Sequence, residues 1–171
     1  MTIVSNSSPL IALAGLDLLS VLRPLFTEIV VPEAVWHEVV IRGEGKLDAQ
    51  LIIRAVEEGW LHRRSVQDQL AVATLQATLG AGESEAIVLA REINASWLLL
   101  DDDLGRAHAQ RLGLPVKGTV GVLLAAYRAE FIPDFKRVLD DLRANGFWLS
   151  DQLYQKLLFT PVDIQRSSQD E

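Results

Sequence analysis

Residues 96–103 read Ser96-Trp97-Leu98-Leu99-Leu100-Asp101-Asp102-Asp103. A continuous apolar run that stops abruptly on three carboxylates has the pattern of a strand buried on both faces, as the inner strands of parallel sheets are. It predicts a strand over 96–100 that delivers Asp101 at its carboxyl end, and the rest of the chain is read outward from there.

Toward the N-terminus, a helix over 83–93 precedes this strand, with Ala86, Ile87, Ala90 and Ile93 toward the core and Gly80-Ala81-Gly82 breaking it from an alanine-rich helix over 66–79. Further back, the pattern gives strands at 2–5, 28–31 and 60–63. Helices are expected from Pro9, capped by Ser7 or Ser8, from Asp17 to Leu22, from Pro32 to Ile41, and from Leu47 to Glu58. Toward the C-terminus come a helix to Leu112, a short strand at 115–117, and helices ending near Glu130, over 133–144 and over 150–159. Strands alternating with helices require parallel pairing through crossovers. The expected fold is α/β: a three-layer α/β/α sandwich around a central, mainly parallel sheet of four to five strands. One domain over 1–160 and a polar tail over 161–171 are expected, with no internal repeat.

The 171 residues are 49% hydrophobic and 23% charged, which is ordinary globular composition. No cysteine is present, so disulfides, thiolate zinc sites and thiol nucleophiles are all excluded. The three histidines, His37, His62 and His108, are scattered, and any metal would have to be a hard, oxygen-loving ion such as Mg²⁺ or Mn²⁺. A net charge of −7 argues against a general nucleic-acid binder, which needs clustered Lys and Arg. It does not exclude a metal-dependent nuclease, whose cation neutralises the acids and meets the phosphate. Asn6-Ser7-Ser8-Pro9 interrupts the first apolar run and no Lys or Arg precedes Arg23, unlike a signal peptide; the expectation is a cytoplasmic protein with no membrane partner.

Parallel sheets build sites at the carboxyl ends of their strands. Here the first strand ends on Asn6 and the fourth on Asp101, while helices bring Glu38, Glu83 and Glu85. Carboxylates held together repel and call for a cation, which can activate a water and stabilise a phosphoryl oxygen. Each residue also has a plain structural role open to it. Glu83 and Glu85 complement a helix dipole, Glu38 can pair with Arg42 one turn on, one of the three aspartates caps a helix, and Asn6 suits a turn. Arg106 could hold a phosphate beside the metal or sit on a solvated face with Gln110 and Arg111. His108 is too isolated for a general base, and Trp36 and Trp97 lie in apolar periodic segments that assign them to the core or an interface.

Five segments occur in a telling order: Asn6-Ser7-Ser8-Pro9-Leu10-Ile11 after a strand, Val31-Pro32-Glu33-Ala34-Val35 leading to Glu38, Gly82-Glu83-Ser84-Glu85-Ala86-Ile87, Leu100-Asp101-Asp102, and Gly118-Thr119-Val120-Gly121-Val122-Leu123. Over about residues 2–130 the series resembles the PIN-domain superfamily, especially a prokaryotic branch similar to VapC-type toxins. The resemblance implies Mg²⁺- or Mn²⁺-dependent phosphodiester hydrolysis, usually of RNA, often as the toxin of a toxin–antitoxin pair, with a cognate antitoxin and a homodimer as expected partners. It makes Glu38, Glu85 and Asp101 the catalytic acids. Asn6 joins them as a metal ligand, with Glu83 as a rival to Glu85 and Asp103 as an alternative to Asp101, and Ser8 sits where family members often place a hydroxyl near the site. Arg106 is the substrate contact read from its place after the fourth strand, outside the resemblance. One position departs from the pattern: Asn6 stands where the family usually has Asp, which removes one unit of attraction for the cation and weakens the expected site.

Two other classes compete. A PIN-like protein with an impaired site would bind RNA or a partner without cutting, a reading that the neutral Asn6 and the net charge favour. A phosphoryl-transfer enzyme would use Asp101 as nucleophile, with Lys117 as the available partner for the phosphate.

Overall fold

Five short strands lie side by side in the computed structural model, which describes residues 1–159. They are β1 (Thr2–Ser5), β2 (Glu28–Pro32), β3 (Leu61–Arg64), β4 (Trp97–Leu99) and β5 (Val116–Lys117). All pairings are parallel, in the order β3-β2-β1-β4-β5. The strand expected over 96–100 is the shorter β4, an inner strand flanked by β1 and β5, and Leu98, Leu99 and Leu100 are all at most 1% exposed.

Side-chain alternation along the strands sorts the core into two layers. Ile3, Ile29, Val31, Leu61 and Leu99 pack on one face with α1 (Ser7–Gly15), α2 (Leu22–Leu25), α3 (Glu33–Trp36), α4 (Leu47–Glu57), α8 (Thr119–Arg128), α9 (Phe135–Ala144) and α10 (Asp151–Leu158). Val4, Val30, Leu98 and Leu100 pack on the other with α5 (Gln69–Leu75), α6 (Ala81–Glu92) and α7 (Asp103–Arg111). The chain is a three-layer α/β/α sandwich, as its alternating strands and helices predict.

Several boundaries differ from expectation for local reasons. The first helix starts at Ser7 with Asn6 in the cap position, so neither serine caps it. Asp17 adopts a left-handed conformation, φ 56°, and turns the chain instead of capping a helix; a 3₁₀ turn over Leu19–Val21 and the short α2 follow. The helix expected over 66–79 is only Gln69–Leu75, because the Asp68 side chain accepts from Ala71 N and starts it later. The helix from Pro32 relaxes after Trp36 into a π-helical turn, His37–Ile41, with Arg42 N donating to His37 O at 2.9 Å. The polar tail expected over 161–171 lies outside the described residues.

Among the described residues no single helix is long and apolar enough to cross a membrane. One bent pair, Ser7–Gly15 with Leu19–Leu25, passes on length and composition together, but it turns through 118° and packs on the sheet.

Candidate functional site

The carboxyl edge of the sheet gathers most of the polar side chains singled out by the sequence. β1 ends at Ser5, and Asn6 stays in line with β4 by donating its backbone N–H to Leu99 O at 3.0 Å. Its side chain is 3% exposed and caps nothing, and Oδ1 is buried without a hydrogen-bond partner. An unpaired buried amide oxygen costs about 1–3 kcal/mol, so its retention needs a reason.

The next residue, Ser7, donates its hydroxyl to the Glu38 carboxylate. Glu38 sits in the π-helical turn, a device that re-aims side chains and recurs at functional sites. Its other oxygen accepts from Gly82 N, at 3.1 Å, in the first turn of α6. The Asn6 loop, the helix after β2 and the start of α6 therefore meet at one carboxylate. Glu38 is half-buried and does not pair with Arg42.

Asp101 follows β4 and is held by a single residue: Thr119 donates its backbone N–H at 2.7 Å and its hydroxyl at 2.6 Å. Gly118 makes this approach possible, since a β-carbon there would stand 2.9 Å from Asp101 Oδ1 and 3.1 Å from Arg106 Nη1. Burial pushes the Asp101 carboxyl above the ordinary 3.8, and the Thr119 hydrogen bonds and the Arg106 charge offset only part of that. Arg106 is anchored by donation to Leu100 O at 3.0 Å. Lys117 lies 4.5 Å over the Trp97 ring, and burial lowers its pKa.

The remaining candidates divide. Glu83, Asp101, Asp103, Arg106 and Ser8 all line one open cleft of about 980 Å³. Glu83 also reaches back to Gly80 N at 2.9 Å, so it closes its own helix start. Asp102 is the capping aspartate, accepting from Gly105 N at 2.7 Å, which leaves Asp101 and Asp103 free of that role. Glu85 is engaged elsewhere: its carboxylate accepts from Ala34 N at 2.9 Å and caps α3, one turn along α6 from Gly82. Ser8 is exposed at the rim, and the hydroxyl bound to an acid is that of Ser7. Trp36 is half-buried under the Arg63 guanidinium, 4.4 Å from its ring, away from the cleft, whereas Trp97 forms part of the cleft wall.

Among the described residues no three Asp, Glu or His side chains stand together as a preformed metal site. The donors present nevertheless suit a hard divalent cation in kind. They are all oxygens, and the amide oxygen of Asn6, left unpaired in the interior, lies one residue from the Glu38–Ser7 contact and just past the end of β1, the strand paired with the β4 that Asp101 follows. The sequence motifs contained Ser7, Gly82, Gly118 and Thr119 but gave no sign of what each does.

A family model described as a PIN domain matches residues 2–160. No curated protein matches the chain.

Proposed function

The chain belongs to the PIN-domain family, which generally comprises metal-dependent nucleases, and from that premise we propose that it hydrolyses phosphodiester bonds of RNA with Mg²⁺ or Mn²⁺. The observation that carries this reading is the buried, unpartnered Oδ1 of Asn6, just past the end of β1, the strand that lies between β2 and β4. When bound, the cation supplies an activated water and charge stabilisation at the phosphoryl oxygen.

The chain's own residues then have separable tasks. Asp101 and Glu38 would hold the cation as anionic donors together with the neutral Asn6 Oδ1, and Glu83 and Asp103 on the cleft wall would be further oxygen donors. Thr119 holds Asp101 through two hydrogen bonds, and Ser7 with Gly82 does the same for Glu38. Arg106, tied to Leu100 O beside Asp101, neutralises a phosphate at the cleft. Glu85 is the weakest of the expected catalytic acids, because its carboxylate already caps α3. The same reading extends to the toxin of a toxin–antitoxin pair, acting as a homodimer with a cognate antitoxin.

Cleavage of a mixed RNA pool with Mn²⁺, comparing the native protein with Asp101→Asn, tests the proposal. Cutting by the native protein and none by a folded variant supports it; equal cutting by both removes it. The neutral Asn6 favours one rival, a PIN protein that binds RNA without cutting, which predicts no metal-dependent turnover at any protein concentration.

A further inference from the structure

Trp148 is 83% exposed, yet the chain on either side of it is fixed. Gly146, at φ 89°, ends α9 by donating to Arg143 O at 3.0 Å, and Phe147 N donates to Leu142 O at 3.2 Å. Asn145 Nδ2 donates to Gly15 O at 3.0 Å and ties this turn to α1. On the far side Leu149 is buried, its carbonyl accepts from Arg143 Nη2 at 2.9 Å, and Ser150 caps α10. An indole held out from so well anchored a loop forgoes the burial that would stabilise it by a few kcal/mol.

Trp148 faces the cleft that also holds Asp101, Arg106, Lys117 and Trp97. Acidic side chains, two cations and an exposed indole in one open cleft match what a nucleotide offers: a phosphate for the charged groups and a flat base for the ring. Stacking on an aromatic face requires an unpaired base, because a duplex presents only its edges and backbone.

We propose that Trp148 is the base-stacking platform of this cleft, receiving an unpaired nucleobase next to the phosphodiester that lies at Asp101. This rests on the nuclease reading for the identity of the strand, while the stacking itself does not require cleavage.

The full-length protein, Trp148→Ala and Trp148→Phe are compared with Mn²⁺ present. Two measurements are made: cleavage kinetics, and fluorescence anisotropy of a labelled single-stranded oligoribonucleotide or of the same strand annealed to its complement. Stacking is worth enough that Trp148→Ala is expected to raise both Kd and KM for the single strand about 10-fold, with kcat little changed. Trp148→Phe is expected to restore both to within about 3-fold, because a smaller ring still stacks. If the native protein binds but does not cut, and Trp148→Ala loses that binding, the nuclease reading falls and the platform stands. If the native protein cuts and Trp148→Ala matches it in KM and Kd, the platform falls and the nuclease reading stands. Equal binding of duplex and single strand also overturns the platform. So does a variant that only changes the oligomeric state, which would assign Trp148 to a protein interface.

Discussion

The Glu38 carboxylate rests so closely on Gly82 that a β-carbon at position 82 would stand 2.5 Å from Oε2 and 2.8 Å from Oε1. The glycine lies inside the first turn of α6, where it gives the carboxylate its seat and supplies the N–H that holds it.

Gly82→Ala separates these roles. Alanine gains about 1 kcal/mol of helix propensity in α6, against about 1–3 kcal/mol for forcing Glu38 aside. The expected result is a modest net loss of stability, about 1 kcal/mol, with a large loss of Mn²⁺-dependent cleavage. Thermal melts and a cleavage assay on the same samples check this. The double variant Gly82→Ala with Glu38→Ala should melt above the single Gly82→Ala, because the clashing group is gone. If it melts lower, the contact is not the source of strain.

Asp101 gives a pH dependence of determinate sign. Its folded pKa is raised above the ordinary 3.8, chiefly by burial. For an acid this means that the folded state holds the proton more tightly than the unfolded state. The corresponding stability is present in full below 3.8 and lost as pH rises through the raised folded value. In metal-free buffer Asp101→Asn should therefore melt higher than the native protein at pH 7, and the difference should close near pH 4. A variant less stable at pH 7 than at pH 4, relative to the native chain, contradicts the sign.

Glu85 tests the division between catalytic and structural acids. Because it caps α3 through Ala34 N, Glu85→Gln keeps an acceptor while Glu85→Ala loses it, at a cost of about 1 kcal/mol. Both should retain cleavage to within a few-fold, whereas Glu38→Gln should lose most of it at little cost in stability. Cleavage abolished in Glu85→Gln with an unchanged melt would return Glu85 to the catalytic set.

The fold was legible because the run at 98–100, the alternating core residues of β1 and β2, and the spacing of α6 are local patterns, and a parallel sheet follows from their order. The carboxyl-edge placement of Asn6, Glu38, Glu83 and Asp101 was legible for the same reason. What local patterns could not carry was which acid is occupied by whom. Glu83 and Glu85 are two residues apart on one helix, and only the packing of α3 on α6 decides that Glu85 meets Ala34 N while Glu83 faces the cleft. The π-helical turn under Glu38 is likewise a product of packing, since nothing in His37-Glu38-Val39-Val40-Ile41 departs from α-helical periodicity. Trp148 carries no local signature, because an exposed aromatic in a loop has no periodicity, and its setting comes from the anchors on either side.

Asn6→Asp is the sharpest test of the site, because it predicts opposite effects with and without metal. The Asn6 Oδ1 has no partner and the residue is 3% exposed, so an aspartate there puts a charge into the interior with no donor to meet it. Without a cation this must be costly: Asn6→Asp should melt well below the native protein in EDTA. A divalent ion reverses the balance, since the added charge strengthens its binding and binding to the folded state alone adds stability as RT ln(1 + [L]/Kd). Titration with Mn²⁺ should therefore raise the melting temperature of Asn6→Asp more steeply than that of the native protein, and RNA cleavage should rise with it. A variant that melts alike with and without Mn²⁺ and cuts no faster would mean that Asn6 does not face the cation, and that its unpaired oxygen is a defect of packing with no ligand to explain it.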